Sequence, residues 1–200
     1  MNAEGTQEET VQASPSHAQL LERESTGLVV VDLQAKLMPA MLEPAATLRN
    51  ARILLRLAEV LHLPIILTAQ YVKGLGPIVP EIIESAPGVA PFEKNSFGCF
   101  SEPEFIEHLK KRAPKARTLV IAGVESHICV MQTALGALQA GYLVHIASDA
   151  VCSRTRENWQ IGIDRMQRAG AVISSTEMVV YELLGRSGTE EFKAMLSMLK

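Results

Sequence analysis

Cys129 is the residue in this sequence whose position most clearly suggests chemical reactivity. It follows an apolar, strand-like run over 118–124 and a short polar turn over 125–128, and it opens a helical pattern that ends before Gly141. A thiol at the start of a helix lies near unpaired backbone N–H groups and the positive end of the helix dipole. Both stabilise the thiolate, which is the nucleophilic form. The position therefore predicts a lowered thiol pKa and a role in covalent catalysis.

Asp32 and Lys94 are the two charged residues that could support this thiol. Asp32 ends the apolar run 27–31, and Lys94 lies in the irregular segment 91–100. A carboxylate buried behind four apolar residues needs a charged or hydrogen-bonded partner, which Lys94 could supply. An acid, an ammonium group and a thiol together would give a nucleophile with a nearby base. Taken singly, each has a simpler interpretation: a helix cap, a solvated lysine and a small buried residue.

Alternating strand and helix patterns must position these three residues. A parallel sheet is indicated by this alternation, with active sites expected at the carboxyl ends of its strands. The right-handed crossover rule then favours a doubly wound, three-layer α/β/α sandwich. We predict one domain over 25–200, after a disordered polar tail over 1–24. The predicted strands are 27–32, 64–69, 118–123, 143–147 and 171–173, and the predicted helices are 45–61, 103–112, 129–140, 155–169 and the C-terminal region.

Composition narrows the class of protein further. The chain has 200 residues, is 48% hydrophobic and carries a net charge of −3, which indicates a globular protein without an affinity for nucleic acid or anionic membranes. No apolar run approaches the roughly 20 residues that a membrane helix needs. Three cysteines form no disulfide framework, and the polar N-terminus lacks the features of a secretory signal. We therefore expect a cytoplasmic protein.

Three segments resemble those of the isochorismatase-like cysteine hydrolases. They are 29–34 (Val-Val-Val-Asp-Leu-Gln), 92–100 (Phe-Glu-Lys-Asn-Ser-Phe-Gly-Cys-Phe) and 123–130 (Gly-Val-Glu-Ser-His-Ile-Cys-Val). That family includes nicotinamidases, other small-amide hydrolases and true isochorismatases. The resemblance covers about residues 26–185, and the segment 68–77 is most similar to the isochorismatase-domain-containing subgroup.

The resemblance implies a role for each member of the triad. Asp32 would accept the thiol proton and later help to activate water, Lys94 would hold Asp32 and Cys129 in place and stabilise the thiolate, and Cys129 would attack a carbonyl carbon. It also implies a cis peptide bond between Val124 and Glu125. This bond would turn the Glu125 N–H inward, beside that of Cys129, to form an oxyanion hole.

The activity that the resemblance implies is cofactor-independent hydrolysis of a small amide through a thioester on Cys129. Two alternatives stay open: an isochorismatase-type vinyl-ether hydrolase that uses Asp32 without the thiol, and a non-catalytic scaffold or interaction protein. The resemblance also implies a homo-oligomer. Apolar residues near the C-terminus could pair across subunits or pack on their own domain; these are Phe192, Met195, Leu196 and Leu199.

The remaining candidates surround the predicted site. The metal motif of nicotinamidases is missing, because Gln70 and Tyr71 stand where its ligands would begin. We therefore expect no metal, and the departure argues against nicotinamide as the substrate. His127 would line the pocket or act structurally. Cys99 and Cys152 are expected to be packing residues, although Cys99 could line the pocket. The possible substrate-binding residues are Gln34, Tyr71, Phe97 and His127.

Overall fold

A computed structural model describes residues 20–199 as a six-stranded sheet covered by helices on both faces. Every pair of neighbouring strands is parallel, and the strand order is β3-β2-β1-β4-β5-β6. This order confirms the predicted doubly wound, three-layer α/β/α sandwich. The strands are β1 (Thr26–Val31), β2 (Ile65–Gln70), β3 (Phe92–Lys94), β4 (Thr118–Val124), β5 (Leu143–Cys152) and β6 (Val172–Ser174).

The helices divide between the two faces of the sheet. Two buried apolar clusters, one on each face, hold α1, α3, α7 and α8 on one side and α4, α5 and α6 on the other. The helices are α1 (Pro44–Leu61), α2 (Val72–Leu75), α3 (Pro80–Glu84), α4 (Pro103–Arg112), α5 (Met131–Gln139), α6 (Arg156–Arg168), α7 (Thr176–Leu184) and α8 (Glu190–Met195).

Strand β1 shows why a continuous apolar run folds here as a central strand. All six of its residues are buried. Leu28 and Val30 pack in the cluster on one face of the sheet, whereas Val29 and Val31 pack in the cluster on the other. A strand covered by helices on both faces has no polar side, which explains its unbroken hydrophobic sequence.

Three local features differ from the sequence predictions. Strand β3 lies within the segment that we expected to be irregular; it has only three residues at the sheet edge, and pairing with β2 defines it. Strand β5 is longer than predicted and runs to Cys152. Cys129 does not open an α-helix, since it lies in a π-helical turn, Ser126–Val130, that precedes α5. Each feature depends on tertiary contacts or backbone geometry that sequence periodicity does not report.

Both ends of the described segment, residues 20–199, pack against the domain. Residues 20–24 were assigned to the predicted tail, but Leu21 is buried and its N–H donates to Glu182 at 3.1 Å. Residues 1–19, which make up the rest of that tail, lie outside the described residues. At the other end, Met195 is fully buried and Leu199 packs in the same apolar cluster as Met195. These two residues therefore pack on their own domain. Over residues 20–199, every helix is too short or too polar to cross a lipid bilayer.

Candidate active site

The sheet brings Asp32, Lys94 and Cys129 to the same end of the sheet, where three of its strands have their carboxyl ends. Val31 of β1 lies beside Gly123 of β4, so Asp32 and the turn that carries Cys129 leave from neighbouring strands. Lys94 ends β3, which is separated from β4 by the two strands β2 and β1. The β1–β4 boundary is where the strand order reverses direction, which is the usual position of a ligand site in such sheets.

Asp32 and Lys94 form a buried ion pair. The Lys94 Nζ lies 2.7 Å from the Asp32 Oδ2, and both side chains are fully excluded from solvent. The second carboxylate oxygen, Oδ1, accepts a hydrogen bond from the Thr68 hydroxyl at 2.8 Å. Both oxygens of Asp32 are therefore held by named partners, as a buried carboxylate requires.

Lys94 contacts three further oxygen acceptors. Its Nζ donates to Gln70 Oε1 at 2.8 Å and lies 3.2 Å and 3.1 Å from the carbonyl oxygens of Ser96 and Phe97. Sequence reasoning noted Gln70 only as a departure from a metal motif and assigned no role to Thr68. The available signal was their spacing, since two polar residues two positions apart share one face at the end of a buried strand.

The pKa of the Cys129 thiol is raised, and the predicted lowering is wrong. Burial, first, and the negative charge of Asp32, second, raise this pKa from an ordinary 9.0 to about 12, against an opposing effect of Lys94. A hydrogen bond between the thiol and the Asp32 carboxylate acts in the same direction as burial. Cys129 is only 6% exposed, so solvent offers the thiolate little stabilisation. At neutral pH Cys129 is consequently a thiol that hydrogen-bonds with the Asp32 carboxylate.

The turn that carries Cys129 is anchored from several sides. The Val124–Glu125 peptide bond is cis, as the family resemblance implied. The Glu125 side chain is buried and accepts from Arg154 Nε at 2.9 Å. Ser126 and His127 both hydrogen-bond to the Ser153 hydroxyl, the latter through Nδ1 at 2.9 Å. These contacts give His127 a structural partner outside the triad.

Two of the predicted substrate-binding residues are accessible beside the triad. Tyr71 and Phe97 are 54% and 56% exposed, which is unusual for large aromatic side chains. The Tyr71 N–H donates to the Lys94 carbonyl at 2.8 Å, and the Phe97 carbonyl contacts the Lys94 ammonium group. The backbones of both aromatic residues thus contact Lys94.

Gln34 is not available to bind substrate, contrary to expectation. Its side chain is fully buried. Its Nε2 donates to the carbonyl oxygens of Gln70 and Gly76 at 2.9 Å and 2.6 Å, and its Oε1 accepts from the Gln70 N–H at 2.7 Å. The amide is occupied by structural hydrogen bonds at both of its ends.

Cys99 is a second thiol next to the triad, but it lies below the surface. It is fully buried, and its Sγ accepts from the Thr133 hydroxyl at 3.2 Å. Burial raises the pKa of Cys99 to about 11, and the charges of Lys94 and Asp32 also act on it. Cys99 therefore packs behind the site and does not line it.

Within residues 20–199, neither a metal cluster nor the cavity bordered by α1 and α6 coincides with the triad. Within residues 20–199 no group of three or more His, Cys, Asp or Glu side chains is arranged to hold a metal ion. A cavity of about 480 Å³ lies beyond the end of β5, between the first turns of α1 and α6, and its walls include Asn50, Cys152 and Trp159. The three triad side chains are not part of its lining.

The chain also matches known proteins over most of its length. The model of the isochorismatase domain matches residues 26–178. The chain belongs to the isochorismatase family. It is thus an isochorismatase-family hydrolase, and its triad residues lie within the matched segment.

Members of the isochorismatase family from distant organisms are similar to it. Isochorismatase domain-containing protein 2 of Xenopus laevis is 35% identical over 84% of this chain and 80% of its own length. The structure of MAR1 ribonuclease from Caenorhabditis elegans superimposes with a TM-score of 0.84 at 31% identity, over 90% of this chain and 92% of that one. The YcaC gene product of Escherichia coli, described as an octameric hydrolase of unknown specificity, gives 0.83 at 27% identity over 90% of each chain.

Proposed function

We propose that this protein is a cysteine hydrolase that cleaves the C–N bond of a small amide. The observation that carries the proposal is the position of Asp32, which pairs with Lys94 at 2.7 Å and hydrogen-bonds with the Cys129 thiol. A raised thiol pKa fits this assignment, because a neutral thiol needs a base at the moment of attack.

In the first half of the reaction, the Cys129 sulfur attacks the amide carbonyl carbon while its proton passes to Asp32. The resulting tetrahedral intermediate collapses as the C–N bond breaks. Asp32 returns the proton to the leaving nitrogen, so ammonia or an amine departs and a thioester remains on Cys129. Lys94 offsets the negative charge of Asp32 whenever that residue is ionised.

In the second half, water hydrolyses the thioester. Asp32 takes a proton from the attacking water, the C–S bond breaks, and the proton passes to the departing sulfur. The products are a carboxylic acid and the restored thiol. No step requires a cofactor, since water and the three side chains supply every proton and electron pair.

The oxyanion hole belongs to the same proposal. The backbone N–H groups of Glu125 and Cys129 would bind the negative oxygen of each tetrahedral intermediate. Preorganised donors of this kind typically contribute about 10²–10³ in rate each. Tyr71 and Phe97 would contact the acyl group of a small-molecule substrate from the exposed side of the site.

We also propose that the protein forms a homo-oligomer. The octameric state of the similar YcaC protein supports this inference. So does the exposure of several large apolar side chains, among them Ile161 at 62% and Met178 at 49%.

The deciding experiment is a screen of small amides and ureas against the wild type, Cys129→Ala and Cys152→Ala. We expect hydrolysis by the wild type and by Cys152→Ala, whose mutated thiol lies away from the triad, and none by Cys129→Ala. A slow substrate should add its acyl mass to the peptide that contains Cys129. Activity that survives Cys129→Ala but not Asp32→Asn would contradict the amide mechanism and favour vinyl-ether hydrolysis. Absence of turnover and of acyl adducts for all substrates would favour a scaffold.

A further inference from the structure

Gln70 connects the triad to the rest of the sheet through a fixed side-chain amide. It is the last residue of β2, is buried, and lies directly beside Lys94 in the β2–β3 register. Its Nε2 donates to the Asn95 carbonyl at 2.6 Å. Because a carbonyl oxygen only accepts hydrogen bonds, the NH₂ group must face Asn95 and the amide oxygen must face Lys94. The orientation of this amide therefore follows from its partners.

The amide oxygen of Gln70 is a principal neutral acceptor of the Lys94 ammonium group. An ammonium group has three protons, and Asp32 Oδ2 at 2.7 Å and Gln70 Oε1 at 2.8 Å are its nearest acceptors. The carbonyl oxygens of Ser96 and Phe97 lie farther away, at 3.2 Å and 3.1 Å. Gln70 thus fixes one direction of the ammonium group while Asp32 fixes another.

Gln34 holds Gln70 in place from the opposite side. Its amide bonds both the N–H and the C=O of Gln70, in the manner of a neighbouring strand, and also the carbonyl of Gly76. Gln34 follows Asp32 by two residues on the same chain segment. A continuous set of hydrogen bonds therefore runs from Gln34 through Gln70 and Lys94 to Asp32.

We propose that Gln70 is a positioning residue that holds the Lys94 ammonium group against Asp32 without adding charge, with Gln34 as its anchor. The neutrality of the amide is the essential property, because the thiol of Cys129 responds to the charges of both Asp32 and Lys94. A carboxylate at position 70 would compete with Asp32 for the same ammonium group. This inference rests on the proposed function, in which Asp32 accepts the proton of Cys129.

The test compares Gln70→Glu with Gln70→Leu and uses Gln160→Glu and Gln160→Leu as controls at an exposed glutamine of α6. The first readout is iodoacetamide alkylation of the Cys129 peptide at about pH 8, measured by mass spectrometry. Gln70→Glu adds a negative charge near the thiol, so alkylation should slow at least about tenfold, the effect of one pKa unit. Gln70→Leu adds no charge, and alkylation should stay within about threefold of the wild type.

The second readout is turnover of any amide that the wild type hydrolyses. Gln70→Leu should lower kcat by about 10–100-fold with KM little changed, since it lets the ammonium group move but does not touch the substrate. Alkylation of Gln70→Glu at the wild-type rate, or full kcat for Gln70→Leu, would overturn the inference. If kcat fell only because the variants fold less stably, the thiol would be more exposed and its alkylation would be faster in both variants. That result would also overturn the inference.

These results separate this inference from the proposed function. Alkylation needs no substrate, so it tests Gln70 even if no amide is hydrolysed. If Gln70→Glu does not fold, Gln34→Leu replaces it, because that change removes the anchor and leaves Gln70 and Lys94 present. We then expect kcat to fall about tenfold with KM unchanged, and an unchanged kcat would overturn the inference.

Discussion

At the scale of single residues, burial and two opposing charges set the pKa of the Cys129 thiol. Asp32 raises its pKa and Lys94 lowers it, while burial has the largest effect. A thiol in this setting is protected from indiscriminate reaction at neutral pH, because only the thiolate is strongly nucleophilic. In the proposed mechanism it becomes a nucleophile when a substrate carbonyl is present and Asp32 takes its proton. Substitution of either charged neighbour should therefore separate thiol reactivity from catalysis.

Asp32→Asn and Lys94→Ala should change the alkylation of Cys129 in opposite directions. Removal of the Asp32 charge lowers the thiol pKa, so Asp32→Asn should alkylate about tenfold or more faster at about pH 8, yet hydrolyse no amide. Lys94→Ala raises the pKa further and should alkylate more slowly. Iodoacetamide kinetics on the Cys129 peptide measure both effects. Slower alkylation in both variants would contradict the conclusion that Asp32 raises the thiol pKa and Lys94 lowers it.

Cys99 should make the protein less stable in alkali. Burial raises the pKa of its thiol from 9.0 to about 11, so above pH 9 the unfolded chain releases a proton that the folded chain retains. The free energy of unfolding should therefore fall as pH rises from 9 towards 11, beyond any change from other groups. Cys99→Ala should flatten this decline, although its cavity lowers stability at every pH. Urea unfolding at several pH values measures the slope, and parallel curves for the two proteins would refute the prediction.

At the scale of secondary-structure elements, the close approach of β1 and β4 places Asp32 beside the turn that carries Cys129. Gly123 in β4 has φ +115°, and a Cβ there would lie 2.0 Å from the Val31 carbonyl oxygen. Only glycine adopts this backbone conformation without strain while leaving room for the neighbouring strand. The glycine thereby permits the register in which β1 ends at Asp32 next to the start of the Cys129 turn.

Gly123→Ala should cost more than the same change at Gly141. Both residues have positive φ, but a Cβ at Gly141 meets no atom within 4 Å. Gly141→Ala should lower the free energy of unfolding by about 1–2 kcal/mol, the usual strain of a left-handed alanine. Gly123→Ala adds a backbone clash and should lose at least about 3 kcal/mol, with loss of hydrolysis. Equal losses in chemical denaturation would show that strand approach is not the constraint.

At the scale of the whole molecule, several large apolar side chains outside the C-terminal residues 192–199 are exposed, among them Ile161 and Met178. Light scattering at micromolar concentration should give a mass that is a multiple of 21.8 kDa. An oligomer would remove large apolar side chains such as Ile161 from water, which favours association. The substitution Ile161→Glu places a charge at this position and should shift the measured mass towards that of the monomer. Gln160→Glu, which adds a charge at the neighbouring residue, is the control. A wild-type mass of 21.8 kDa at high concentration would exclude the homo-oligomer.

The sequence by itself determined the layer architecture and predicted that Asp32, Lys94 and Cys129 form one group. Apolar runs such as 27–31 and the helical pattern after them report local burial, and local burial is sufficient to predict a parallel α/β sheet. Motifs around Asp32, Lys94 and Cys129 carry information within a few residues of each side chain. Helix α4 (Pro103–Arg112), which begins at a proline and ends in basic residues, was predicted at both of its ends for the same reason.

The tertiary structure alone decided the state of the thiol and the supporting contacts. The pKa of Cys129 depends on burial and on a carboxylate 97 positions away, neither of which a helix-start argument includes. Strand β3 forms because β2 is beside it, and Gln34 is engaged because Gln70 and Gly76 fold onto it. Sequence patterns report what a residue is and how its neighbours alternate. Distances between strands, and hence charge and hydrogen-bond partners, exist only once the chain has folded.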